Sequence, residues 1–465
     1  MTKSLISVNT KLCKHNKHRK GLGHMLSINK KSIFKPMKQY LMIYKPLFYK
    51  RGFNNFILLI CAFLAIQEVR SIKFIYEKFI KKYFDVCLNR FYYFLADEGL
   101  DLSKLMCCTV KKALSLIPSN MTSQITIYLI VDDTLQPKFG QHFESCGKLF
   151  DHANHDGQPY INGHCFVSLA MSIPIIIGTH IKYITIPVGC KLYDKTQTKL
   201  ELAAEMIETV ASEVTEYQVI VLCDAWYTKK SFIARVKALD NVELMGAVRV
   251  DTATYDLPPQ PTGKRGRPRK KGDRIDYRKL NYSVEGDLKV STIYCLTNLI
   301  DQAIYATYTT TNSETFSSVR LYICTIPLER INSFTIKQEQ GMDLKKKPKV
   351  TNVFQVFRMR WPIEVMFYQE KTFWSFGKYM VRSKASIEKY AYLVGVTYTL
   401  VTLLPFIDSD FSEYQFQSPQ EVKYSLGAEL HKEFILSNLL KTLQKSKNPI
   451  ALQELIDDNE LKDLA

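Results

Sequence analysis

Two apolar, β-branched runs, each stopping abruptly at a carboxylate, constrain the fold of this chain more than any other feature. Residues 124–131 (Gln-Ile-Thr-Ile-Tyr-Leu-Ile-Val) read as a buried strand that runs into Asp132-Asp133-Thr134. Residues 218–223 (Gln-Val-Ile-Val-Leu-Cys) read as a second, ending in Asp224. Further strands are expected at 163–177, 182–188 and 242–250, with helices at 197–214 and 229–239, which makes the class mixed α/β. Two neighbouring strand ends bring two acids together without help from a long loop. Carboxylates held that close repel each other and normally need a divalent cation between them. Strand side chains alternate, so only one of Asp132 and Asp133 can face such a site, and composition does not decide which.

The partner expected from charge is a polyanion. The chain carries 63 Lys and Arg against 45 Asp and Glu, a net charge of +18. Nucleic acid fits better than a membrane, because the longest unbroken apolar run, 56–66, is far shorter than the roughly 20 residues needed to span a bilayer. The run 391–407 carries three threonines and a proline and reads as a buried helix. Eleven cysteines without a CxxC pair point to reduced thiols and a cytoplasmic setting, nucleoid-associated if the polyanion is DNA. Cys13, His15, His18 and His24 lack a second ligand pair, and the composition of a basic tail accounts for them.

Composition shifts divide the chain into six parts. Residues 1–51 form a basic N-terminal arm; the first 67 residues contain no Asp or Glu. Such an arm suits phosphate binding, and a misplaced start or a leader reads the same way. Residues 52–120 have helical periodicity, either as a small separate domain or as a helical layer on the core. Residues 121–251 and 351–410 are the two parts of the α/β core. Between them, 252–350 is a β-rich insertion with strands near 288–296, 303–309 and 319–326. It opens on Gly-Lys-Arg-Gly-Arg-Pro-Arg-Lys-Lys-Gly, in which Arg265, Arg267 and Arg269 resemble an AT-hook lying in a narrow minor groove; a solvated linker is the plainer reading. Residues 411–465 form a helical tail.

In the second core part, Phe357, Arg360, Glu364 and Lys371 are spaced so that Glu364 and Lys371, two helical turns apart, share one face. Pro362 should be the first residue of that helix, leaving Arg360 in the turn before it. The spacing resembles the Tyr-x2-Arg-x3-Glu-x6-Lys signature of cut-and-paste transposases of the insertion sequence 4 family, with Phe357 in the tyrosine slot. The resemblance implies a ribonuclease-H-like mixed sheet core interrupted by the β-rich insertion, with a helical N-terminal domain. It also implies that Asp133, which precedes a threonine as the family's first acid does, joins Asp224 and Glu364 as the catalytic and metal-binding triad. That triad would hold two Mg²⁺ ions, for which Mn²⁺ can substitute. Phe357, Arg360 and Lys371 would lie against DNA, and Lys138 and Arg382 are further candidates for backbone contact.

The expected activity is metal-dependent cleavage at transposon ends followed by strand transfer into target double-stranded DNA, by a homodimer on paired ends. A decayed or domesticated transposase that still binds DNA is the alternative. No membrane partner is expected.

Overall fold

The computed structural model describes residues 32–445, apart from 141, 152–158, 179, 261–266, 327–341 and 344–352. The cluster Cys13 to His24, most of the basic arm and Arg265 therefore lie outside the described residues.

The apolar run 127–131 has no polar face, and in the structure it has none to offer, since helices cover both sides of the sheet. Strand β1 (Thr126–Pro137) continues through both aspartates instead of stopping before them. It pairs antiparallel with the long β3 (Tyr160–Ile177), which also carries the short β2 (Gly147–Phe150) and pairs antiparallel with β4 (His180–Leu192). A crossover through α6 (Lys199–Ala211) places β5 (Gln218–Cys223) parallel to β1 on its other side. A second crossover through α7 (Lys230–Lys237) places β6 (Val242–Val248) parallel to β5. The order β4-β3-β1-β5-β6, with three antiparallel strands followed by two parallel ones, is compatible with the ribonuclease-H-like core expected from sequence.

Beyond β6 the chain adds β7 (Thr254–Tyr255), β8 (Ser283–Glu285), β9 (Leu288–Thr297), β10 (Ile304–Thr310) and β11 (Arg320–Cys324). These strands do not stand apart from the core. Strand β11 pairs antiparallel with β6, Leu321 opposite Val248 through Cys324 opposite Met245, and β10 and β9 extend the same sheet outward. Strands β8 to β11 thus widen the sheet that they follow in sequence.

The helices at the N-terminal end form a layer on that core. Helix α1 (Phe34–Leu41) leads to α2 (Lys50–Ala65), and a short broken helical stretch at 72–83, numbered α3, precedes α4 (Asn89–Ala96) and α5 (Leu102–Leu114). After β11 come α8 (Val353–Phe357), α9 (Pro362–Phe373), α10 (Lys384–Ile407) and α11 (Pro419–Lys445). Helix α10 is long and apolar enough to cross a membrane, but it is buried almost all round, packed on β4, on α2 through Phe63 and Tyr390 with ring centroids 5.2 Å apart, and on α11. Lys389, buried in α10, donates to Phe94 O at 2.9 Å and to Asp97 O, satisfying carbonyls that the end of α4 leaves unpaired. Gly427 of α11 lies so close to Leu64 O that a Cβ would approach it to 2.3 Å, so the α2–α11 contact requires glycine there. Helices α2 and α4 of this layer pack on α10, and α5 packs on β4 and α6.

Candidate active site

Parallel pairing sets the first two acids side by side. Val131 of β1 lies opposite Cys223, the last residue of β5, so the residues that follow them, Asp132 and Asp224, are neighbours. Asp224 is held in the turn beyond β5 by backbone N–H groups, its Oδ1 accepting from Trp226 N at 2.9 Å and from Tyr227 N at 3.2 Å. The turn is closed by Thr228, whose N and Oγ1 both donate to Asp224 O.

The third acid arrives on α9. Pro362 occupies the first helical position, where its missing N–H costs nothing, and Arg360 sits in the 3₁₀ turn before it, as the sequence suggested. From that turn Arg360 Nη1 donates to Asp132 Oδ2 at 3.0 Å while Nη2 donates to Glu364 Oε1. One guanidinium therefore ties the β1 carboxylate to the α9 carboxylate. Burial and the adjacent Asp224 charge push the Asp132 carboxyl up to about 7, against the opposing pull of Arg360.

Asp133 does not join this group, which departs from the expected triad. Strand alternation turns its side chain to the opposite face, where Oδ2 accepts from Lys199 Nζ at 2.7 Å and Oδ1 accepts from Tyr227 Oη at 3.1 Å. Cys165 Sγ, on β3, also donates to it at 3.2 Å. A signal for Asp132 is present in the sequence: Asp132 and Asp224 are each the first residue past an apolar run, and parallel neighbours in register put equivalent positions together. Nothing in the sequence marks Lys199 or Tyr227.

The expected DNA contacts divide into two sets. Lys371, Arg382, Arg267 and Arg269 are exposed, with Arg269 paired to Asp273 at 3.3 Å. Lys138 is buried, contrary to expectation: its ammonium donates to Gly377 O at 2.8 Å and Tyr379 O at 2.9 Å and lies 3.4 Å from the Tyr379 ring centroid. Burial pulls it down to about 8. Its long stem reaches inward because β1 runs on to Pro137 and carries Lys138 beneath the chain at 377–379. Phe357 is half-buried rather than displayed, its ring 4.7 Å from that of Tyr322 on β11 and beneath the Arg360 guanidinium.

Among the described residues, no three His, Cys, Asp or Glu side chains stand close enough together to ligate a metal as they are. The donor chemistry nevertheless fits a hard divalent cation. Asp132, Asp224 and Glu364 supply carboxylate oxygens, and Arg360 stands as a single positive charge where Asp132 would otherwise carry uncompensated repulsion.

Comparison with curated proteins finds no match. Residues 188–289, a span that contains β5, Asp224 and α7, match the model of a family described as DDE superfamily endonuclease, which supports a DDE transposase-type chain, a nuclease-type enzyme and a DNA substrate.

Proposed function

We propose that this protein is a cut-and-paste DNA transposase in which Asp132, Asp224 and Glu364 bind two divalent metal ions and cut the ends of a mobile element. The observation that carries the reading is the joint pairing of Asp132 and Glu364 to Arg360 beside Asp224, where β5 ends in the middle of a sheet whose order fits a DDE nuclease. Asp132 takes the place that the family resemblance assigned to Asp133, because its carboxylate is the one turned toward Asp224 and Glu364. Bound Mg²⁺, or Mn²⁺ in its stead, would neutralise charge on the scissile phosphate and acidify an attacking water or hydroxyl.

The chain's own residues prepare that chemistry. Backbone N–H groups at Trp226 and Tyr227 fix the Asp224 carboxylate before substrate arrives. Arg360 pairs with both Asp132 and Glu364 in the free protein and has the planar donor fork suited to a phosphate. Lys371, exposed on α9 two turns beyond Glu364, offers a point charge to the DNA backbone, and Arg267, Arg269 and Arg382 add positive charge at the surface. We assign double-stranded DNA at the element's ends and in the target as the substrate, with two copies of the chain acting on paired ends.

Labelled end DNA incubated with the protein and Mg²⁺ or Mn²⁺ should yield 3′-nicked ends and then joined target products. Binding without nicking would instead identify a decayed transposase retained as a DNA-binding protein. Nicking without joining would identify a nuclease of the same fold.

A further inference from the structure

A buried polar cluster behind the acids has no part in the function proposed above. Asp133, one residue past Asp132 on β1, is the centre of it. Its carboxylate accepts from Lys199 at 2.7 Å, Tyr227 Oη at 3.1 Å and Cys165 Sγ at 3.2 Å. Lys199 is the first residue of α6, and the helix end that carries it is held by a capping box between Thr198 and Glu201. Its side chain and that of Asp133 are less than a fifth exposed. Burial alone would pull the Lys199 ammonium down, yet Cys165 and Asp133 outweigh it and leave it above the ordinary lysine range. Tyr227 is fully buried, and burial followed by the Asp133 charge keeps its phenol protonated.

Tyr227 works at both ends. Its hydroxyl is anchored on Asp133, and its backbone N–H holds the Asp224 carboxylate. The neighbouring Trp226, whose N–H also binds Asp224, packs its ring 5.0 Å from that of Tyr227 and lies 5.0 Å beneath the Lys199 ammonium. Asp224 lies past the end of β5, where no ladder fixes it, so the five-residue turn decides where its oxygens point. That turn is held from behind by a strand carboxylate and a capped helix.

We infer that Lys199, Asp133 and Tyr227 form a positioning relay that sets the Asp224 carboxylate for metal binding. Adjacent aspartates on β1 would then divide the labour, Asp132 as a ligand on one face and Asp133 as the anchor on the other. The inference rests on the metal-site reading above. Groups that orient a ligand in this way are worth about 10- to 100-fold in metal affinity.

The test is Mn²⁺ titration of the full-length, DNA-free protein, read by the paramagnetic resonance of free Mn²⁺, with melting temperature and DNA affinity followed in parallel. Tyr227→Phe removes one oxygen and should weaken Mn²⁺ binding about tenfold, with DNA affinity and melting little changed and cleavage recovering at raised Mn²⁺. Lys199→Met should act in the same direction. Asp132→Ala and Asp224→Ala serve as controls. If they lose Mn²⁺ binding while Tyr227→Phe and Lys199→Met bind as the parent does, the relay is wrong and the metal site stands. If the two controls bind Mn²⁺ like the parent, the metal site itself is wrong and the relay falls with it.

Discussion

Arg360 donates to Asp132 at 3.0 Å, joining the turn that leads into α9 to the first strand of the core. The same guanidinium holds Glu364, so the cation in this site is at present a side chain. Arg360→Ala should destabilise the metal-free protein by about 2 kcal/mol, since it strips the counter-charge from two partly buried carboxylates. Added Mg²⁺ should shrink that deficit, because it restores positive charge at the same place. Melting curves of parent and variant, with and without Mg²⁺, check this; a deficit indifferent to Mg²⁺ would place the metal elsewhere.

The two adjacent aspartates should separate cleanly in cleavage assays. Asp132→Asn should reduce end cleavage by more than about a hundredfold, the scale seen when one group of a preorganised charged site is removed. Asp133→Asn should leave measurable cleavage that improves with more Mn²⁺. The opposite ranking would return Asp133 to the triad.

Lys138 should matter to folding and not to DNA. Lys138→Met leaves the carbonyls of Gly377 and Tyr379 without their donor, at a cost of about 3 kcal/mol. Denaturant titration measures this. The salt dependence of DNA binding should keep its slope, whereas loss of a phosphate contact would lower it by about one.

Glu370 makes stability depend on pH. It is buried in α9 on a small cavity lined by Thr109, Ser168, Cys190 and Tyr392 among others, and burial pushes its carboxyl from 4.5 up to about 8, with Lys371 pulling weakly the other way. The folded chain keeps this proton where the unfolded chain has lost it, so this residue lowers stability as pH rises from 4.5 to about 8 and adds nothing further above that. Glu370→Gln should flatten the pH dependence in this window and stabilise the protein by a few kcal/mol at pH 8.5. Melting temperatures of the two proteins across the window decide it; parallel curves would mean that Glu370 titrates normally.

Much of the frame is legible in the sequence because it depends on local pattern. The unbroken apolar runs of β1 and β5 leave little choice but a sheet covered on both sides, and Pro362 marks the start of α9 and leaves Arg360 in the turn before it. Alternation along a strand likewise requires that only one of Asp132 and Asp133 face a given side. Which one does is decided by register: the pairing of Val131 with Cys223 is a relation between segments far apart in the chain, and it turns Asp132 toward Asp224. The same reason hides the anchoring of Asp133 by Lys199 and Tyr227, the burial of Lys138, and the joining of β11 to β6 that makes an apparent insertion part of the core sheet. Side-chain chemistry and strand periodicity are written residue by residue, whereas the partner of a charge is chosen only when packing brings distant segments together.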